Sequence, residues 1–542
     1  MQKLMLLGDE AIAQGAIDAG LSGVYAYPGT PSTEIMEYVL NSPEGKEGRI
    51  RSGWSANEKT AMEAALGMSY AGKKAMVCMK HVGLNVAADP FINSAITGAN
   101  GGILVVVADD PSMHSSQNEQ DSRYYGKFAM VPMLEPTNQQ EAYDMVRYGL
   151  DLSGEHGIPV LLRIPTRLAH SRSAVERRPV KAPNELKLPR TLNQFILLPA
   201  NARRRYKLLL MQQPDFEEAS SASPFNRFFD GDNKTTGIIA CGIAYNYLFE
   251  NFPDGRSPFP VLKIGQYPLP RHHIERLYEE CDELLVLEDG YPFVEENLRG
   301  FFPTAKKIRG RLDGSLPRDG ELNPNHVRRS LNMEAASGNP IPDVVKPRPP
   351  KLCKGCPHIY SYNALNEALE KYSRGRVFSD IGCYTLGALK PFEAINTCVD
   401  MGASITMAKG AADAGFVPAV AVIGDSTFTH SGITGLLDAV NDGSSITIVI
   451  LDNATVAMTG GQTSSATGRI EKICEGIGVE KEHIIVMNPI QKYHEENMQT
   501  FKREIEYQGV SVIIPRRECL QTVARRIREE KRKKELEKQK TQ

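Results

Sequence analysis

The chain has 542 residues, which at roughly 150 residues per domain suggests about three to four domains. Hydrophobic residues make up 41% and charged residues 24%, and 63 Lys and Arg against 65 Asp and Glu give a net charge of −2. This is the composition of a globular protein without the basic excess of a general nucleic-acid-binding protein. We therefore expect no nucleic-acid partner.

No apolar run in the sequence reaches the ~18 residues that a membrane-spanning helix needs, and the apolar N-terminal stretch is too short for a signal sequence. Nine cysteines in a chain of this length are too sparse for a disulfide scaffold. We expect a cytoplasmic protein without a membrane partner. In a reducing compartment, closely spaced cysteines favour metal binding or redox chemistry.

Short apolar runs alternate with longer helical stretches along the chain. The clearest runs are 103–108, 418–423 and 446–451, and a helical segment at 432–441 separates the last two. Runs of this kind predict central parallel strands, and the alternation predicts an α/β fold of doubly wound sheets. Such sheets bind ligands beyond the carboxyl ends of their strands, so functional residues are expected there.

Proline-rich and polar stretches predict the domain boundaries. A first unit is expected over 1–200 and a second over 201–338, followed by a proline-rich linker at 339–350. A third unit is expected over 351–520, followed by a charged tail at 521–542. We expect the tail to be a solvated helix, and docking of an acidic partner protein is the alternative.

Polar side chains follow the predicted strands of the first unit. Thr30 lies in the turn YPGTP at 27–31, Glu58 heads an alanine-rich helix, and His81 and Asn85 lie in the first of two polar stretches, 80–85 and 109–121. Polar clusters after apolar strands favour active-site loops. The pattern leaves open the alternatives of plain turns, surface loops, helix caps and an acidic first helical turn.

Cysteines mark the start of the third unit. Cys353 and Cys356 form a CxxC pair directly after the linker, and Cys383 and Cys519 follow at long spacings. Four cysteines could hold zinc or an iron–sulfur cluster, although the spacing is not that of a zinc ribbon. The spacing alone leaves the metal open. The remaining cysteines are expected to be ordinary buried residues: Cys78, Cys241, Cys281, Cys398 and Cys474.

Two oxygen-bearing side chains end neighbouring predicted strands of the third unit. Asp425 lies in Gly424-Asp425-Ser426, and Asn453 follows the next strand. Such a pair can converge on Mg²⁺, which proteins usually hold with few protein oxygens plus phosphate oxygens. Gly424 would let a diphosphate group approach the backbone at a helix N-terminus. The alternative is that these side chains only cap the following helices.

Seven segments together resemble one enzyme family. The chain resembles the large (alpha) subunits of indolepyruvate:ferredoxin oxidoreductases, within the thiamine-diphosphate-dependent 2-oxoacid:ferredoxin oxidoreductases, over about residues 1–520. The segments are YPGTPSTE (27–34), MKHVGLNVAADP (79–90), ADDPSMHSSQNEQDSR (108–123), CKGCPH (353–358), DIGCYTLG (380–387), GDSTFTHSGITGL (424–436) and DNATVAMTGGQ (452–462). The resemblance implies three thiamine-enzyme-type units, which are pyrimidine-binding, transketolase C-terminal-like and diphosphate-binding.

The resemblance also implies the cofactors thiamine diphosphate, Mg²⁺ and a four-iron, four-sulfur cluster. Glu58 would hydrogen-bond the aminopyrimidine ring, and Thr30, His81 and Asn85 would face the substrate. The further residues implied at the cofactor are Gly382, Cys383, Tyr384, Gly424, Asp425, Ser426 and Asn453. The implied Mg²⁺ ligands are Asp425, Asn453 and the backbone carbonyl of Thr455. The implied cluster ligands are Cys353, Cys356, Cys383 and Cys519.

The implied reaction converts an aryl-2-oxoacid and coenzyme A to acyl-CoA and CO₂, with electrons passing through the cluster to ferredoxin. The implied partners are a small (beta) subunit, ferredoxin and coenzyme A, in a hetero-oligomer such as α2β2. One alternative is a non-redox thiamine-dependent decarboxylase or carboligase, with structural zinc or idle cysteines. The other is a non-catalytic scaffold subunit, which the presence of Glu58, Asp425 and Asn453 disfavours.

The sequence departs from the family pattern in three places. CKGCPH replaces the usual CPGCPH, which adds a positive charge beside the cysteines, and GDS replaces the commoner GDG of thiamine enzymes. Only the charged tail follows Cys519, where the family carries a ferredoxin-like module. We therefore expect electrons to leave directly from the single cluster.

Overall fold

A computed structural model describes residues 3–252, 254–299, 306–346, 351–398 and 400–541, without the side chains of 192, 193, 534 and 536–541. The chain forms two compact units, Met1–Pro340 (unit 1) and Ile341–Gln542 (unit 2). Within the ranges described, no helix combines the length and the apolar character needed to cross a bilayer.

Unit 1 contains fourteen strands and fourteen α-helices among its described residues. The strands are β1 (Lys3–Leu7), β2 (Gly23–Ala26), β3 (Arg51–Trp54), β4 (Ala75–Lys80), β5 (Ile103–Asp109), β6 (Met133–Leu134), β7 (Val160–Pro165), β8 (Arg172–Glu176), β9 (Arg227–Phe229), β10 (Thr236–Cys241), β11 (Val261–Ile264), β12 (Gln266–Tyr267), β13 (Glu283–Leu287) and β14 (Ile308–Arg309). The helices are α1 (Gly8–Asp18), α2 (Thr33–Asn41), α3 (Pro43–Lys46), α4 (Glu58–Tyr70), α5 (His81–Val86), α6 (Ala88–Thr97), α7 (Arg123–Ala129), α8 (Gln139–His156), α9 (Thr166–Ala169), α10 (Pro199–Ser221), α11 (Ala244–Phe249), α12 (Arg271–Glu280), α13 (Phe293–Arg299) and α14 (Pro324–Ser330).

Two larger sheets form the core of unit 1. The seven-stranded sheet has the order β12-β6-β7-β5-β4-β2-β3, and the five-stranded sheet has the order β14-β13-β10-β11-β9. The pairs of the first sheet are parallel except β12 with β6. Strands β4, β5 and β7 are buried along their whole length, as expected of parallel strands covered on both faces. The predicted strand at 103–108 is confirmed as β5.

Unit 2 contains one central parallel sheet and a small hairpin. Its strands are β15 (Val377–Ser379), β16 (Ala419–Gly424), β17 (Ile446–Leu451), β18 (Thr455–Val456), β19 (Gln462–Thr463), β20 (Ile484–Met487) and β21 (Val510–Pro515). Its helices are α15 (Pro357–Ala368), α16 (Ala403–Asp413), α17 (Asp425–Thr427), α18 (Ile433–Asn441), α19 (Ile470–Ile477), α20 (His494–Glu506) and α21 (Leu520–Thr541). The sheet order is β15-β16-β17-β21-β20, with every pair parallel. The predicted α/β fold is confirmed, including the strands at 418–423 and 446–451.

The boundary between the two units lies within the predicted linker, and the predicted boundary near 200 lies inside unit 1. The unit boundary follows Pro340, inside the proline-rich segment, of which residues 347–350 lie outside the described residues. Within unit 1, β12 comes from the predicted second domain and pairs with β6 of the predicted first domain. The three-domain organisation therefore stays a prediction, and the tail forms the helix α21.

A network of fully buried charges lies within unit 1. Its centre is two arginines whose side chains are 0% exposed. Arg163 donates from Nε to Asp109 at 2.6 Å and from Nη1 to Glu135 at 2.5 Å. Arg123 donates from Nε to Asp121 at 2.9 Å. Away from water these charge-assisted hydrogen bonds are strong, and each partner depends on the others for compensation.

The same arginines reach the later part of unit 1. Nη1 of Arg123 lies 3.0 Å from Oε2 of Glu288, and Arg163 donates from Nη2 to the carbonyl of Asp289 at 2.7 Å. Burial raises the pKa of Glu288 to about 7, against the opposing effect of Arg123. The network therefore ties the end of β13 to the carboxyl ends of β5 and β7.

We expect Arg163→Met to destabilise the protein by about 3–5 kcal/mol, because Asp109 and Glu135 would remain buried without their cation. Arg178→Met is the matched control, since the pair of Arg178 with Asp144 is partly exposed and such pairs contribute about 0–1 kcal/mol. The free energy of unfolding from urea denaturation measures both effects. Equal destabilisation by the two changes would contradict this account of the network.

Candidate cofactor and metal sites

Asp425 lies where two parallel strands of unit 2 end together. Strands β16 and β17 pair with Gly424 opposite Leu451, so Asp425 and Asp452 follow at the same sheet edge. Asp425 is 2% exposed, and its Oδ1 accepts a hydrogen bond of 2.6 Å from the backbone N–H of Ser426. Its Oδ2 is buried without a hydrogen-bond partner. Such an oxygen is costly unless a cation or a proton meets it.

The electrostatics around Asp425 favour a cation. Burial raises the pKa of Asp425, and the neighbouring charge of Asp452 raises it further. The backbone N–H of Ala454 opposes this rise, so the turn after β17 lies beside Asp425. Asp452 is itself paired with Arg516, so the donor set is the Asp425 carboxylate and a turn rich in oxygens, the kind of ligand that hard divalent cations prefer. The residues present therefore fit a magnesium ion.

The turn after β17 carries the other two predicted magnesium ligands. Ala454 has a positive φ of 62°, which turns the backbone sharply between Asn453 and Thr455. Oδ1 of Asn453 accepts the backbone N–H of Thr455 at 3.1 Å, and Oγ1 of Thr455 donates to the carbonyl of Gln462 at 3.0 Å. Asn453 and Thr455 are both buried. The sequence prediction is thus met in placement, while their ligation stays a prediction.

Tyr384 fills the space beside two of the predicted cofactor glycines. A Cβ would lie 2.6 Å from Cε1 of Tyr384 if built on Gly424, and 2.3 Å from it if built on Gly382. The Tyr384 hydroxyl is close to the Asp380 carboxylate and lies 3.2 Å from Oγ1 of Thr427. These contacts give both glycines a packing reason. The expected approach of a diphosphate to Gly424 stays a prediction.

The four cysteines proposed as cluster ligands line one cavity of about 340 Å³ in unit 2, together with Asn453 and His358. Burial raises the pKa of the Cys356 thiol to about 11 and that of Cys383 to about 12, and the neighbouring cysteines add to both shifts. The four thiols therefore share one cavity, and the group that they bind stays a prediction.

Backbone hydrogen bonds join this cavity to the turn that carries Asn453. The N–H of Cys519 donates to the carbonyl of Asn453 at 3.2 Å, and the N–H of Arg517 donates to the carbonyl of Asp452 at 2.9 Å. The segment after β21 is therefore held against the segment after β17. The four cysteines and the predicted oxygen ligands are therefore neighbours in one unit.

His358 is a site residue that the sequence analysis did not single out. It is buried, with Nε2 lying 3.4 Å from Nδ2 of Asn453 and its ring edge-on to that of Tyr384. Burial lowers the pKa of His358 to about 4, so the ring is neutral at pH 7. The sequence signal for His358 was its position two residues after Cys356 of the CxxC pair. Its proximity to Asn453 arises from the fold.

One expectation about the remaining cysteines is wrong. Cys398 is exposed rather than buried, and its Sγ lies 3.7 Å from the carbonyl of Asp380. It lies outside the helices and strands, in the segment between β15 and α16. The other four are buried as expected: Cys78, Cys241, Cys281 and Cys474.

Glu58 of unit 1 is the first residue of α4 and is 5% exposed. The Asn57 side chain caps this helix by accepting the N–H of Thr60 at 2.9 Å. Asn57 is therefore the cap, and Glu58 lies in the first turn, where the alternative role in offsetting the helix dipole stays open. A Cβ on Gly83 would lie 2.5 Å from Oε1 of Glu58, so the glutamate side chain lies directly over that glycine.

The other predicted catalytic residues of unit 1 differ in their burial. His81 is buried, with Nε2 lying 3.2 Å from the carbonyl of Asn118 and Nδ1 without a hydrogen-bond partner. Donation by Nε2 leaves Nδ1 as an acceptor. Asn85 is exposed and accepts a hydrogen bond of 2.5 Å from the Tyr125 hydroxyl, so no internal pocket holds it.

Thr30 is joined to a lysine that the sequence analysis did not select. Ser115 contacts the Thr30 carbonyl at 3.4 Å, and Lys80 donates from Nζ to the Ser115 carbonyl at 2.7 Å. Burial lowers the pKa of Lys80 to about 8, with an opposing effect of Asp110. The stretch 109–121, predicted as one polar loop, is divided in the structure. Asp109, Asp110 and Asp121 are buried, and 112–117 is mostly exposed.

Comparisons with known proteins match both units. The family described as "Pyruvate flavodoxin/ferredoxin oxidoreductase, thiamine diP-bdg" matches residues 14–204. The family described as "Thiamine pyrophosphate enzyme, C-terminal TPP binding domain" matches residues 380–514. Each unit therefore contains a thiamine-binding domain.

Similar proteins extend this match over nearly the whole chain. The indolepyruvate oxidoreductase subunit IorA of Archaeoglobus fulgidus is 40% identical over 96% of this chain and 86% of its own length. That of Methanothermobacter thermautotrophicus is 36% identical over 96% and 87%. A 2-oxoglutarate:ferredoxin oxidoreductase structure from Magnetococcus marinus has a TM-score of 0.50 at 16% identity, over 61% of this chain and 65% of its own, and supports the fold. The chain therefore belongs to the thiamine-diphosphate-dependent 2-oxoacid:ferredoxin oxidoreductase family, as a relative of its IorA subunits.

Proposed function

We propose that this chain is the catalytic subunit that oxidatively decarboxylates aryl-2-oxoacids such as indolepyruvate and phenylpyruvate. Coenzyme A takes the acyl group, and electrons pass through an iron–sulfur cluster to ferredoxin. The observation that carries the proposal is the cavity in unit 2, where four cysteines and Asn453 meet. The relatives named indolepyruvate oxidoreductase support the aryl substrate class. We further propose a small beta subunit as partner, in a cytoplasmic hetero-oligomer such as α2β2.

Thiamine diphosphate supplies an electron sink for decarboxylation when it is bound. We assign Mg²⁺ to Asp425, Asn453 and the carbonyl of Thr455, because Asp425 offers a buried oxygen without a partner. The ion would bring the charge that this oxygen requires and would hold the diphosphate. Glu58 would accept a hydrogen bond from the aminopyrimidine ring, and its position over Gly83 supports one fixed orientation of the carboxylate.

We assign the four-cysteine cavity to a four-iron, four-sulfur cluster rather than to zinc. The relatives in the ferredoxin-linked family, together with the cavity that all four thiols line, support this assignment. Lys351, Arg525 and Arg528 also line the cavity and would offset the negative charge of a thiolate-ligated cluster. Because Cys519 is hydrogen-bonded to Asn453, the sulfur ligands and the proposed magnesium ligands would share one rigid support.

We assign the substrate side to Thr30, His81 and Lys80. Nδ1 of His81 is buried without a partner and can accept a proton from the substrate or return it. We also assign Asn85 to the substrate side, as an exposed residue that would contact the substrate only from the surface. The cation of Lys80, held on the Ser115 carbonyl, would orient a substrate carboxylate near Thr30.

We expect the chain, co-expressed with its small subunit and assayed without oxygen, to reduce methyl viologen with indolepyruvate or phenylpyruvate. The reduction should require coenzyme A and should be much weaker with 2-oxoglutarate. Anaerobic spectrophotometry at the viologen band measures the rate. Release of CO₂ without dye reduction would contradict the proposal and indicate a non-redox decarboxylase. The absence of both CO₂ release and dye reduction would also contradict the proposal and would indicate a scaffold subunit.

We expect Cys383→Ala to lose the bound iron while keeping thiamine diphosphate, because Cys383 lines the cavity with the other three cysteines. Cys398→Ala is the matched control, since Cys398 is near in sequence but outside the residues that line the cavity. Iron analysis and thiamine fluorescence of anaerobically purified protein measure the two cofactors. Unchanged iron in Cys383→Ala would remove this residue from the ligand set.

We expect Gly83→Ala to lower kcat/KM on the order of 10²-fold, because the new Cβ would displace the Glu58 carboxylate. Gly67→Ala is the matched control, since a Cβ there meets nothing within 4 Å. Both changes place alanine in a helix, so any common effect on stability cancels. The viologen assay measures the activities. Equal activities of the two variants would contradict a role of Glu58 in the reaction.

A further inference from the structure

Three potential metal ligands of unit 1 converge outside the residues assigned above. Asp9 is the second residue of α1, Glu34 is the second residue of α2, and His170 follows α9. One ligand atom of each lies within 4.8 Å of those of the other two. Ligands held by one ion at about 2.0–2.2 Å lie at most about 4.4 Å apart. Small side-chain movements would therefore bring all three onto a common ion.

The Asp9 carboxylate is buried in this cluster without a hydrogen-bond partner. It is 0% exposed, and both of its carboxylate oxygens are buried without a hydrogen-bond partner. Burial raises its pKa well above the ordinary value, and the nearby charges of Glu34 and Glu10 raise it further. The backbone N–H of Leu7 donates to Oε2 of Glu10 at 2.8 Å, so this donor serves Glu10 and not Asp9. An unpartnered buried carboxylate of this kind costs several kcal/mol unless a cation or a proton compensates it.

The other two members supply what a metal site needs. Oε2 of Glu34 has no hydrogen-bond partner and lies 3.6 Å from Nε2 of His170. Their side chains are 37% and 35% exposed, although Oε2 of Glu34 is itself buried, so a movement of these side chains would admit an ion and the water that completes its ligands. Arg172 is the nearby cation on the same segment, and it lies 3.7 Å from Glu10 rather than from Asp9.

We propose that Asp9, Glu34 and His170 bind one divalent metal ion of the Mn²⁺–Zn²⁺ class. Two carboxylates and an imidazole suit borderline divalent ions better than Ca²⁺ or Mg²⁺, which prefer oxygen ligands alone. This site involves none of the residues assigned to thiamine, magnesium or the iron–sulfur cluster.

The ion would act as a structural clamp on the first unit. It would join the starts of α1 and α2 to the end of α9, three segments that are far apart in sequence. Helix α2 begins directly after the turn that carries Thr30, and this turn is held by the hydrogen bond from the Gly29 N–H to Oγ1 of Thr33 at 3.1 Å. Metal binding would therefore stabilise the turn.

The test uses Mn²⁺ as the probe, because Mn²⁺ binds thiolates weakly and so avoids the cysteines. The full chain with its small subunit is treated with chelator, dialysed against Mn²⁺, and compared with Asp9→Asn and His170→Ala. The unaltered protein is expected to bind one more Mn²⁺ per chain than either variant. Electron spin-echo spectroscopy is expected to show nitrogen coupling from His170 to the bound ion, and His170→Ala is expected to lose it.

His114→Ala is the matched control, because His114 also faces a glutamate, Glu321, at 3.5 Å, but this glutamate is already paired with Arg167. This variant should bind Mn²⁺ like the unaltered chain and keep the nitrogen signal. Equal Mn²⁺ binding by the unaltered chain, Asp9→Asn and His170→Ala would overturn the proposal and leave Asp9 as a buried neutral acid. Because His170 is exposed, its variant keeps the test decisive even if Asp9→Asn fails to fold.

Discussion

The parallel pairing of β16, β17 and β21 is the constraint on which the chemistry of unit 2 depends. Gly424 lies opposite Leu451, and Asp452 forms a bridge with Arg516 just beyond the ends of β17 and β21. Since all three strands end at one edge, residues far apart in sequence arrive together. A slip of one residue in this register would turn each strand's side chains to the opposite face. The apolar burial of the strands therefore stabilises an edge that leaves one oxygen of Asp425 without a partner.

Unit 1 contains two contrasting arrangements of buried charge. Around Arg123 and Arg163, buried carboxylates are met by guanidinium groups at hydrogen-bond distance. Asp9 is as deeply buried, yet neither of its oxygens has a partner. The same chain thus pairs one set of acids with guanidinium groups, even where a single oxygen such as Oδ1 of Asp109 has no partner, and leaves both oxygens of Asp9 open. This contrast is the physical reason for distinguishing a structural network from a proposed metal site.

In unit 2, the ends of the apolar runs were informative about where polar site residues lie. The strands around Asp425 and Asn453, the helix beginning at Glu58 and the four cysteines were predicted because each carries a local signal of composition or spacing. The grouping of Cys519 with the CxxC pair required the resemblance to a family, since Cys519 and Cys353 are separated by most of unit 2. Asp109 and Asp121 were expected in an active-site loop, but both are buried, Asp109 against the distant Arg163 and Asp121 against the neighbouring Arg123. His358, Lys80 and the exposed Cys398 were missed for the same reason, because their surroundings are set by tertiary contacts.

The central claim is that one subunit carries both thiamine diphosphate and an iron–sulfur cluster. The direct measurement is the iron, zinc and thiamine diphosphate content of the chain, purified without oxygen together with its small subunit. The account predicts about four iron atoms and about one thiamine diphosphate per chain. Thiamine diphosphate without iron, or with zinc in place of iron at the four cysteines, would contradict it.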